Sequence, residues 1–151
     1  MLEYSCSQER IMIEYSVEGG TRREREIVEN AFCFALRELM PRKRNLEVNF
    51  TLRNMEENSD GWHLYLGNGE HEIDLQRGMT EAELVTAVFH EMVHLRQYER
   101  NQLTDNGFTK GWGGEEYIYV WSTIEEYKAF PWEEEAYRLQ ETLFENYEKS
   151  A

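Results

Sequence analysis

Cysteine, proline and basic side chains are scarce in this 151-residue chain, and long apolar runs are missing. Two cysteines, Cys6 and Cys33, are too few for a disulfide framework or a four-cysteine metal site. They read as core or surface thiols in a reducing cytoplasm. Sixteen Lys and Arg against thirty Asp and Glu leave a net charge of -14, which repels phosphate backbones and anionic lipid headgroups and attracts cations. No apolar stretch approaches the roughly 18 residues of a membrane span. Residues 1–10 also lack the basic and then apolar segment of a secretory leader. Neither a nucleic-acid nor a membrane partner is expected. Apolar residues make up 40% of the chain and aromatic ones 13%, enough for a packed core rather than disorder. At this length a single domain over 1–151 is expected.

The two prolines, Pro41 and Pro131, and a few glycine pairs punctuate the rest. A strand is expected at Ile11–Val17. Gly19-Gly20 then leads into Thr21-Arg22-Arg23-Glu24, a reciprocal capping pattern opening a helix to about Met40. Ile27, Val28, Ala31, Phe32, Ala35, Leu36 and Leu39 line one side of it. Leu46–Leu52 alternates with the period of a half-buried strand. Trp62–Leu66, a turn at Gly67-Asn68-Gly69 and Ile73–Leu75 follow as a hairpin in an antiparallel or mixed sheet. Thr80-Glu81-Ala82-Glu83 opens a second helix to about Arg100. Glycines 107, 111, 113 and 114 mark a long loop, and Tyr117–Trp121 forms a short strand or a pocket wall. Pro131 opens a last helix running to Tyr147. The order is β-α-β-β-β-α-loop-α, an α+β layout.

Chemistry enters with His90-Glu91-Met92-Val93-His94, an H-E-x-x-H pattern. At about 100° per residue, helical positions four apart point nearly the same way one turn apart, so both imidazoles reach one ion. Glu91 lies to one side of that direction, placed to take a proton from water held at the ion rather than to ligate it. The apolar stripe of Leu84, Val85, Val88, Met92 and Leu95 faces away from the two histidines, which share their side with Glu83, Ala87 and Gln97.

A catalytic zinc usually has three protein ligands. Metzincins supply a third histidine six residues after the second, where this chain has Arg100, with Gln97 in place of their glycine. His63 and His71 are open as ligands or as hydrogen-bonded strand residues. On the last helix Glu133 points into the sector of Ala136, Tyr137, Gln140 and Phe144, Glu134 points away, and Glu135 sits on the opposite shoulder. A carboxylate on an inward face needs a partner, whereas acids at a helix start also suit its dipole.

H-E-x-x-H, 38 further residues, then Glu133-Glu134-Glu135-Ala136 as E-x-x-A resembles the gluzincin clan of zinc metallopeptidases. The E-x-E-A form is similar to small metallopeptidases of bacteria and their mobile elements. The resemblance covers about 70 residues from Thr80 onward. It implies a zincin-like fold, a small sheet packed on the metal helix, with His90, His94 and Glu133 as Zn2+ ligands and Glu91 as general base. A peptide or protein would be the substrate. Tyr137 stands where many gluzincins have an Asp that orients a ligand, so that support must come from elsewhere or from the tyrosine hydroxyl. By the same resemblance, the strand around Glu72–Gln76 would be an edge strand pairing with substrate, Ile73 and Leu75 facing the core. Tyr98, Tyr117, Tyr119, Tyr127 and Tyr137 are candidate donors to a developing oxyanion. The alternative is a catalytically silent zincin fold whose acidic surface binds a partner, for instance by imitating nucleic acid.

Overall fold

The computed structural model describes residues 3–4, 12–56 and 59–150. Ile11, the first residue of the expected first strand, and Cys6 lie outside them. Five strands form one mixed sheet: β1 (Glu3–Tyr4), β2 (Met12–Gly19), β3 (Asn45–Arg53), β4 (Gly61–Gly67) and β5 (Glu70–Gln76), in the order β1-β2-β3-β5-β4. β2, β3 and β5 run parallel, and β1 and β4 pair antiparallel at its two ends. Buried Leu46, Val48, Phe50 and Leu52 alternate along β3 with more exposed residues, so one face of the sheet carries the core. Ile73 and Leu75 are fully buried on β5 as expected. β5, however, lies inside the sheet between β3 and β4. The edge strand beside the helix that carries His90 and His94 is β4, which corrects the expectation for Glu72–Gln76.

Two helices pack on the core face, α1 (Arg22–Leu39) and α2 (Glu81–Glu99). Both begin with the reciprocal caps expected of them. The Thr21 hydroxyl accepts from Glu24 N–H while the Glu24 carboxylate accepts from Thr21 N–H, and Thr80 and Glu83 do the same. Each such cap is worth about 1 kcal/mol and fixes where its helix starts. Glu24 also accepts from Gly78 N–H at 2.7 Å, which ties the start of α1 to the turn before α2.

The glycine-rich stretch is not a loop. It folds into a three-stranded antiparallel sheet of β6 (Leu103–Asp105), β7 (Thr109–Trp112) and β8 (Glu115–Ile118). Gly107 and the pair Gly113-Gly114 adopt positive φ at its two turns, and Gly111 sits within β7. A short helix α3 (Ile124–Lys128), capped by Thr123, precedes α4 (Pro131–Ser150). This region rests on a second apolar cluster, in which Tyr98, Leu103 and Trp132 are packed by Tyr65, Trp112, Tyr117, Tyr119 and Phe130.

Cys33, half-buried against the main core, is disulfide-bonded rather than a free thiol, so the cytoplasmic expectation loses the support of reduced cysteines. Among the described residues no helix is long and apolar enough to cross a membrane.

A buried polar chain locks the end of α2 to the sheet. His63 Nε2 lies 2.8 Å from His71 Nδ1, His71 Nε2 lies 2.6 Å from Glu99 Oε2, and Lys43 Nζ lies 2.5 Å from Glu99 Oε1. Burial holds both histidines below the usual imidazole range; the neighbouring His71, His94 and Lys110 add to this for His63, while Glu99 opposes it for His71. The unfolded chain therefore takes up protons near pH 6.5, before the folded one does. This stability is present above that pH and is lost as pH falls below it. His71→Ala removes a hydrogen bond to a buried carboxylate and should cost about 2–3 kcal/mol at pH 7.5. Urea denaturation at pH 7.5 and 5 checks this: the gap between wild type and variant should shrink in acid.

Candidate metal centre

α2 and α4 bring the site together. α2 is buried on almost every side, because its stripe of Leu84, Val85, Val88, Met92 and Leu95 packs on the core while its histidine side faces α4 and β4. α4 buries Trp132, Glu133, Ala136 and Leu143. Ala136 has no exposed surface, and its small side chain lets the two helices approach where the ligands meet.

His90, His94 and Glu133 converge, with one ligand atom of each lying within 4.8 Å of the other two. Glu133 Oε1 is 3.0 Å from His90 Nε2, Glu133 Oε2 is 3.2 Å from His94 Nε2, and the two Nε2 atoms are 3.2 Å apart. Donors about 2.0–2.1 Å from a tetrahedral zinc stand roughly 3.3 Å from one another. The two Nε2 atoms stand at about that separation and each carboxylate oxygen meets a different histidine, so the three residues could hold one metal ion. Two nitrogens and a carboxylate oxygen are also the donors zinc favours.

Glu133 is 3% exposed and is the acid of its run that reaches the histidines. Exposed Glu134 does not reach them, and Glu135 instead accepts from the Gln97 amide at 3.1 Å, with Arg96 at 3.9 Å. His63 bonds His71, and His71 bonds Glu99. They belong to the chain that clamps α2, not to this cluster.

The electrostatics follow from the packing. Burial disfavours charge on His94, but the hydrogen bond to Glu133 and its negative charge outweigh that and push His94 up to about 9. Burial disfavours the Glu133 carboxylate as well, yet hydrogen bonds from His90 and His94 hold it far below the usual carboxylate range. Glu91, 6% exposed, lies outside the cluster and is raised by burial, with His90 and His94 opposing. Bringing a cation to this cluster means displacing the His94 proton, since only neutral imidazole ligates.

Sequence reasoning left the outer contacts of the histidines open. His90 Nδ1 lies 2.8 Å from Gln140 Oε1, and His94 Nδ1 lies 2.8 Å from Gln97 Oε1. The Tyr137 ring instead packs against the His90 ring, with centroids 4.6 Å apart. Gln140 shares a face with Glu133 two turns earlier, and Gln97 lies one turn past His94; that placement was the readable signal.

A cleft of about 1000 Å3 opens beside the cluster, lined by His90 and Glu91, by the start of β4 and by Tyr119, Tyr127 and Tyr137. Of the five tyrosines considered, these three border it. Tyr98 donates to Asp105 at 2.9 Å, and Tyr117 packs edge-on against Trp132. No family model, curated protein or solved structure matches the chain.

Proposed function

We propose that the chain is a zinc-dependent hydrolase of peptide bonds, similar in plan to the gluzincins. The carrying observation is the pairing of a three-donor cluster that could hold a metal ion with a buried carboxylate, Glu91, beside it at the cleft. A purely structural ion has no use for that second acid. His90, His94 and Glu133 would hold the ion, which when bound supplies a Lewis acid for a carbonyl oxygen and an acidified water. Glu91 takes the proton of the attacking water and hands it to the leaving amine. Tyr119, Tyr127 and Tyr137 face the cleft as possible hydrogen-bond donors to the oxyanion.

The cleft suits an extended polypeptide. Among the described residues β4 pairs with β5 alone, which leaves its other edge available to a further strand. Trp62, Trp121 and Ile124, at 47%, 42% and 56% exposure, offer apolar walls. Asp60 and Glu83 line it and, among the described residues, no Lys or Arg does, which favours neutral or basic segments over acidic ones.

The test is metal analysis joined to cleavage of a diverse peptide mixture. One zinc per chain, with cleavage abolished by a chelator and restored by zinc, is the expected result. Zinc bound without cleavage of any peptide would favour the acidic binding module instead.

Gly61 offers a narrower check. A Cβ built there would stand 3.1 Å from Glu91 Oε2 and 3.3 Å from its Cγ, so the strand makes room for the base by having no side chain. Gly61→Ala should displace Glu91 and lower kcat about 10- to 100-fold, because misplacement by a fraction of an ångström to 1 Å is costly in an aligned site. Zinc content should be unchanged, read by metal analysis beside the kinetics.

A further inference from the structure

We propose that Gln97 and Gln140 are positioning residues of the metal centre, each accepting a hydrogen bond from Nδ1–H of one histidine so that its Nε2 faces the ion. The inference rests on the metal reading above.

Gln97 is fully buried, and its amide nitrogen lies 3.0 Å from the Trp132 carbonyl oxygen and 3.1 Å from Glu135 Oε1. Both of those oxygens accept, so both amide protons are used. Turning the amide over would set its oxygen against two acceptors. Oε1 must therefore face His94, where it sits 2.8 Å from Nδ1 and needs a proton from it. A neutral imidazole protonated at Nδ1 carries its lone pair on Nε2, the atom that meets Glu133 and His90 at 3.2 Å. His90 Nδ1 likewise lies 2.8 Å from Gln140 Oε1, its own Nε2 lying 3.0 Å from Glu133.

The two glutamines also join the helices. Gln97 belongs to α2 and grips residues 132 and 135 of α4, on either side of Glu133. The aim of His94 and the seat of Glu133 thus depend on the same hydrogen bonds. This gives Glu135 a role that is not ligation: it orients the amide that orients His94.

The test compares zinc affinity, by competition with a chelator, in wild type, Gln97→Leu, Gln140→Leu and Gln140→Glu. Gln140 is half-buried and its replacement decides the matter even if Gln97→Leu does not fold. Each leucine variant should bind zinc about 10- to 100-fold more weakly, and Gln140→Glu, which restores an acceptor, should return to within a few-fold of wild type. Nitrogen-15 spectra of the zinc-loaded wild type should show both histidines protonated at Nδ1 and bound through Nε2. Coordination through Nδ1 would overturn the proposal, as would folded leucine variants within twofold of wild type. A wild-type chain that takes up no zinc would overturn the metal reading and this inference together.

Discussion

Glu91→Gln should bind one zinc per chain as tightly as wild type and lose peptide hydrolysis by about 10²–10⁴-fold. The substitution keeps size and shape, so the packing against Gly61 is preserved. It removes only the ability to accept a proton. Because Glu91 lies outside the three-donor cluster, the cost should fall on turnover and leave metal binding untouched. Burial raises the Glu91 carboxyl and the adjoining histidines counter it, which brings the group closer to the range where it can both take and return a proton. Metal analysis beside steady-state kinetics checks this; hydrolysis at the wild-type rate would remove Glu91 from the mechanism.

Glu133→Ala should weaken zinc binding about a hundredfold or more, since it reduces three ligands to two. Without metal, the same carboxylate bridges His90 and His94 and supports the charge on His94, so the variant also loses a buried pairing. Glu133→Gln, closer in shape, separates the loss of a ligand from the loss of packing. Glu134→Gln, on the exposed side, should bind zinc as wild type does. Titration with zinc against a chelator reads all three. Unchanged affinity in Glu133→Ala would move the assignment to Glu135, which the structure instead places against Gln97.

Much of this site was readable before any coordinates. The Thr-x-x-Glu caps set the starts of α1 and α2, and a helical wheel separated Glu133 from Glu134 and Glu135, because both signals are local. Strand order was not local. Parallel and antiparallel strands alternate with the same period when one face is buried, so nothing within Glu70–Gln76 shows that β4 lies outside it. The glycines at 107 and 113–114 were signs of turns, yet the strands between them are only three or four residues long and carry little alternation of their own. α3 was missed although Thr123 and Glu126 have the same cap spacing used elsewhere. Gln97 and Gln140 escaped because an amide on a helix is more often a surface residue, and only the acceptors around Gln97 reveal its orientation.

The smaller apolar cluster of Tyr98, Leu103 and Trp132 is distinct from the main core, and the chain that rests on it supplies Tyr119, Trp121 and Tyr127 to the cleft. A wall seated on a smaller cluster than the main core is expected to open locally before the sheet behind it unfolds, which amide hydrogen exchange would read as lower protection in residues 101–130. In the hydrolase proposed above, entry and exit would then be governed by local breathing of residues 101–130, while the three donors stay on the two long helices. On that reading, changes in this stretch would alter passage through the cleft and leave His90, His94 and Glu133 in place.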